Sequence, residues 1–164
     1  MLKSLLFLPC EKIIVSREST FTVVNILDSV NVEPKQEIGS DTALQFLWEI
    51  MNLWHKDEPE DSNKEFEQRI EFLRPDNNVL FTIITKFEAD DTNATYRITN
   101  KIGAFPVGMP GVVKLNLSIR EADDENEWQE IVAYPINVTH INRGINVKNE
   151  VETETRTEHE PKSF

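Results

Sequence analysis

Apolar and polar residues alternate with a period of two through most of the first 141 positions, the spacing of strands that bury one face. The clearest stretch is residues 113–119. Val113, Leu115, Leu117 and Ile119 point one way, while Lys114, Asn116, Ser118 and Arg120 point the other. Residues 65–73 repeat the pattern, with Phe66, Ile70 and Phe72 directed inward and Glu65, Glu67, Arg69 and Glu71 toward water. Residues 79–87 read as a more buried strand whose inner side carries Val79, Phe81, Ile83 and Phe87. Further strands are expected at residues 12–15, 21–27, 95–101 and 128–141, all rich in β-branched and aromatic side chains.

Residues 43–54 satisfy two templates. Ala43, Phe46, Leu47, Ile50, Met51 and Trp54 match helical spacing behind Ser40-Asp41-Thr42, whereas Leu44, Phe46, Trp48 and Ile50 match a strand. The surrounding strands favour the second reading. Turn signals at residues 16–19, 59, 74–78, 90–93, 106–111 and 122–126 separate about seven to eight strands, the spacing of an antiparallel β-sandwich. Pro110 fixes its φ and Gly111 tolerates a positive one, so this pair is expected to launch the strand that follows. Residues 142–164 change character. They alternate Thr with charged groups and hold no aromatic before Phe164, so a flexible acidic tail is expected after a sandwich domain of residues 1–141.

The order of these segments resembles a family of small, uncharacterised bacterial and phage-associated immunoglobulin-like sandwich proteins. The resemblance rests on residues 10–141: the hairpin of residues 12–27, a loop with Pro34 and the apolar strand of residues 44–53. It also takes in the Phe72-Leu-Arg-Pro-Asp76 turn, the Phe105-Pro-Val-Gly-Met-Pro-Gly111 approach to an alternating strand, and a closing strand ending Pro135-Ile-Asn-Val138. It implies an immunoglobulin-like fold and carries over no catalytic residue. Val112 stands where such sandwiches often place an aromatic.

Charge narrows the function classes. Seventeen Lys and Arg against 29 Asp and Glu give a net charge of -12, which repels phosphate backbones and anionic lipid. Neither a nucleic-acid nor a membrane partner is expected. The apolar run at residues 5–8 is shorter than the ~7 residues a secretion signal requires, so a cytoplasmic location is expected. Cys10 is the single cysteine, which excludes an intrachain disulfide, and its reading is that of a small buried hydrophobe. No GxSxG, HExxH or P-loop pattern is present, and the three His (His55, His140 and His159) flank no evident nucleophile. The chain is therefore read as non-catalytic and without an obligatory cofactor.

Two binding readings remain. In the first, the domain acts by protein contact as an interaction or assembly module, with room for self-association. An exposed strand edge or the apolar 104–109 segment, carrying Phe105, Val107 and Met109, would form the surface. In the alternative, Ca²⁺ is held by acidic loops at one pole. Strand alternation places the connections at residues 16–20, 55–63, 89–93 and 121–126 at the same end, and three of them are acidic. Their ligands would be Asp57, Glu60, Asp61, Asp90, Asp91, Asp123 and Asp124. The plainer reading of these carboxylates is a solvated, solubilising surface. Trp54, beside His55, is the exposed candidate for a sugar platform, while Trp48 and Trp128 read as core.

Overall fold

The alternating stretches all become strands, and two sheets form because each strand has only one apolar face to bury. A computed structural model describes residues 2–18, 20–34, 36–57, 62–122 and 127–141. The acidic tail proposed for residues 142–164 lies outside them. Among the described residues nine strands follow one another: β1 (Lys3–Val15), β2 (Phe21–Ile26), β3 (Ser29–Val32), β4 (Ala43–His55), β5 (Lys64–Leu73), β6 (Val79–Ala89), β7 (Thr95–Pro106), β8 (Gly111–Glu121) and β9 (Gln129–His140). One sheet has the order β2-β1-β4-β7 and the other β3-β9-β8-β5-β6. The ambiguous segment is β4. Its strand reading holds because Trp48, Ile50 and Trp54 all reach the core from one face. No helix among the described residues is long and apolar enough to cross a membrane.

The core lies between the sheets. Val113, Leu115, Leu117 and Ile119 of β8 are all buried, as the alternation requires, against Phe66, Ile70 and Phe72 of β5. Trp48 meets Phe72 edge-on at 5.9 Å and Phe105 at 5.5 Å, which ties β4, β5 and β7 together. A polar thread crosses this core. Ser4 Oγ donates to Asn52 Oδ1 at 3.0 Å, and both Asn52 Nδ2 (3.1 Å) and Trp54 Nε1 (2.9 Å) donate to Gln68 Oε1. Gln68 stands on the inner face between Phe66 and Ile70, so its side chain is buried despite its polarity.

Three features differ from the sequence reading. First, β6 is less buried than read: among the described residues it is an edge strand that pairs with β5 alone, and Val79 and Phe81 are exposed. Second, the four-residue β3 pairs parallel with β9, from Ser29↔Asn137 to Val32↔His140. Third, β1 changes partners in mid-course. Residues up to Cys10 pair with β4, and residues from Cys10 onward pair with β2. Beyond Cys10 the β1–β2 hairpin lies over the outer face of the first sheet. Glu49 Oε2 of β4 accepts from the Ile13 amide at 2.5 Å, and Arg97 of β7 stacks on Phe21 of β2 at 5.8 Å. This arm accounts for the complete burial of Met51 and Cys10, which face outward and stand apart from the main core.

Candidate protein-contact surface

The structure redistributes the residues that the sequence singled out. Phe105 and Val107 are 0% and 2% exposed, so neither is available to a partner in the folded chain. β7 runs five residues beyond its expected end, and a register shift opposite Gln45 and Trp48 turns Phe105 inward onto Trp48. The loop after it is anchored as well. The Val107 amide donates to Thr42 O at 2.9 Å, and Val107 O lies 2.6 Å from His140 Nε2. Gly108 is packed so closely that a Cβ there would lie 2.3 Å from the Gly39 carbonyl oxygen. Met109 is half-buried in this rigid corner. Gly111 takes a φ of 129°, which is the role the Pro-Gly pair was expected to fill.

The acidic connections are also placed. The β4–β5, β6–β7 and β8–β9 connections emerge at one end, because Lys64 pairs with Ala89, His55 with Thr95, and Phe66 with Glu121. The 16–20 turn does not join them. It caps the hairpin arm, since β3 adds a strand that breaks the simple alternation. Glu60, Asp61, Asp123 and Asp124 lie outside the described residues.

The carboxylates of Asp57, Asp90 and Asp91 are already engaged. Asp57 pairs with Lys3 and with His55 Nε2 (3.0 Å), and the Lys3 hydrogen bond is the main cause of its lowered pKa. Asp91 accepts from Asn63 Nδ2 at 2.9 Å. Asp90 accepts from the amides and side chains of both Thr92 and Asn93, all at 2.8 Å. Those donors hold its carboxyl down at about 2. Asp90 is thus the keystone of a turn, and Tyr96 Oη caps the same turn by donating to Asp90 O and Asn93 O. Among the described residues no three His, Cys, Asp or Glu converge on a metal-sized point. Ser4, which pairs with Trp54 beside His55 across the β1–β4 ladder, donates to Asn52 Oδ1 and not to the imidazole.

Exposed apolar residues occur on several strands, and those of β6 lie beside an outer sheet face with further side chains of interest. Val79 is 54%, Phe81 38% and Ile84 53% exposed, and β6 contains neither Pro nor Gly. Its inner side is braced from within: Phe81 stacks on Phe72 at 3.9 Å and Phe87 on Phe66 at 5.9 Å. Lys86, the cation of the strand, stays exposed and leans toward Glu67 (3.3 Å) and Glu65 (3.8 Å) of the neighbouring β5.

On the same outer face, Ile84 pairs with Arg69 of β5, and Arg69 with Ser118 of β8. Trp128 is half-buried above this row, with the Arg69 and Arg120 guanidinium carbons 4.6 and 4.4 Å from its ring centre. Arg120 is fixed in turn by Glu67 at 2.6 and 2.8 Å, and this hydrogen bond is the main reason the Glu67 carboxyl lies below its usual range. The tryptophan assignments therefore exchange places. Trp54 is fully buried and bonded to Gln68, whereas Trp128 is the one at the surface. A signal for this exchange was present: Arg69 and Arg120 occupy outward positions in their strands, and Trp128 falls just before β9, beside Arg120.

No protein-family profile matches the chain, and no curated protein sequence is similar to it. Among solved structures it is similar to a D341A D367A calcium-binding mutant of Bacteroides uniformis β-glucuronidase 2. The likeness has a TM-score of 0.45 at 15% identity, covering 62% of this chain and 12% of that one.

Proposed function

We propose that the chain is a non-catalytic, immunoglobulin-like interaction module that binds protein by adding a strand to β6. The immunoglobulin-like assignment is supported by the sheet order. β1, β4 and β7 face β9, β8 and β5 in the way strands A, B and E face G, F and C of such sandwiches.

The binding role rests on one observation: an eleven-residue strand with exposed Val79, Phe81 and Ile84 pairs on one side only. Its outward amides and carbonyls form a template for another extended chain, and natural edges are usually blunted by charge, Pro or a bulge. β7, the other long edge, carries two exposed cations, Arg97 and Lys101, where β6 carries Lys86 and an irregular register at its start. Beside β6, the Trp128–Arg69–Arg120 cluster supplies side chains of the type that dominate interface energetics.

Ile84→Lys tests the reading, because it keeps β6 paired to β5 while placing a charge in the middle of the exposed row. Wild-type and variant proteins are immobilised, and the proteins each retains from a host extract are compared. A partner lost with Ile84→Lys at an unchanged melting temperature is the expected result. Equal retention by both proteins refutes strand addition at β6.

A further inference from the structure

We propose that the chain added to β6 is the β6 of a second copy, joined antiparallel about a two-fold axis at Ile84; this rests on the strand-addition reading above. Register selects this pairing. In a continuous sheet, inward residues must oppose inward residues, so a two-fold axis has to pass through a residue position and not between two. Centred on Ile84, the register sets Ile84 against its own copy on the outer face, with Thr82 opposite Lys86 on either side. On the inner face it sets Phe81 against Phe87, and Ile83 against Thr85.

Both aromatic contacts extend stacks already present within each copy, Phe81 on Phe72 and Phe87 on Phe66. No like charges meet. The register one residue later brings Ile84 opposite Lys86, and the one before it brings Lys86 opposite Leu80. Within residues 79–89 the charges are one Lys and one Glu, so this edge is locally neutral on a chain of net charge -12. A closed two-fold pairing consumes both edges and ends there, which is how a soluble protein carries such a strand without forming fibres. The contact is smaller than the ~1,600 Å² of a standard stable interface, so a concentration-dependent dimer is expected.

Sedimentation velocity on the full chain, from about 1 to about 500 µM, provides the test. The 19.0 kDa monomer is expected to give way to a species of twice its mass as concentration rises. Ile84→Lys, which sets two cations face to face on the axis, is expected to remain monomeric throughout the range. Ile84→Cys is expected to cross-link into dimers under mild oxidation, because the axis brings the two thiols together. Val132→Cys, also exposed but on β9, is not expected to do so. A wild-type chain that stays monomeric overturns the proposal, as does a dimer that survives Ile84→Lys or that fails to cross-link through position 84. If the wild type is monomeric but loses a host partner on Ile84→Lys, the second copy is refuted while strand addition stands.

Discussion

Glu49→Ala tests whether the β1–β2 arm is held on the outer sheet face by a single carboxylate. Glu49 is 8% exposed; it accepts from the Ile13 amide at 2.5 Å and lies 4.0 Å from Lys101 Nζ. A hydrogen bond from an amide to a charged group contributes about 1.5–3 kcal/mol, and here its loss also leaves the Ile13 amide without that acceptor. Taking about 2 kcal/mol, the arm should open roughly 30 times more often.

Cys10 reports the opening. It is fully buried in the crook of the arm, and its thiol pKa is raised first by burial and then by the Glu49 charge. In the native protein, labelling by a thiol reagent should therefore be slow and limited by opening. Glu49→Ala is expected to speed labelling by about 10- to 100-fold. Glu49→Gln keeps an acceptor for Ile13 but drops the charge, so only the smaller gain from a less perturbed thiol is expected. Wild-type labelling rates in Glu49→Ala would refute the latch. Equal gains in both variants would assign the effect to charge and not to the arm.

Other consequences follow from the same geometry. Asp90→Asn removes a carboxyl whose native pKa of about 2 lies below the unfolded value of ~3.9. That carboxyl contributes stability above the unfolded pKa and loses it as pH falls toward 2. Acid unfolding followed by circular dichroism should thus show a shallower pH dependence below about pH 4 in the variant. Gly108→Ala has no room for its Cβ against the Gly39 and Ser40 carbonyls, and a loss of about 1–3 kcal/mol in urea unfolding is expected. Phe105→Ala removes a ring packed on Trp48 and should cost about 3–5 kcal/mol, whereas Met109→Ala should cost much less. Similar midpoints for the two would contradict the placement of Phe105 in the core.

The two-sheet architecture was legible wherever a strand buried one clean face. β8 reads as the alternation requires from Val113 to Leu117, while Ser118, on the outward side, is buried as well. Residues that depend on long-range register were not legible. Phe105 looks like part of an apolar loop until the irregular pairing of β4 with β7 turns it inward. Gln68 falls on the inward side of its strand, but the Asn52 and Trp54 donors that satisfy its oxygen there come from another sheet.

β6 misled in the opposite direction. Its apolar content suggests a more buried strand, but strand order within a sheet is set by which neighbours pair, and no local pattern encodes that. The acidic end of the molecule was foreseeable from strand parity for three of the four connections. The fourth failed on β3, a run of four residues too short to stand out among polar neighbours.

Amide hydrogen exchange along residues 79–89, followed across protein dilution, bears most directly on whether β6 is an open edge awaiting another chain. Amides directed at β5 should exchange slowly at every concentration. The intervening amides should exchange fast in dilute solution and slow down as concentration rises or a partner is added. Uniform protection of both sets in dilute protein would show the edge already covered within the chain, and the account given for this surface would fail.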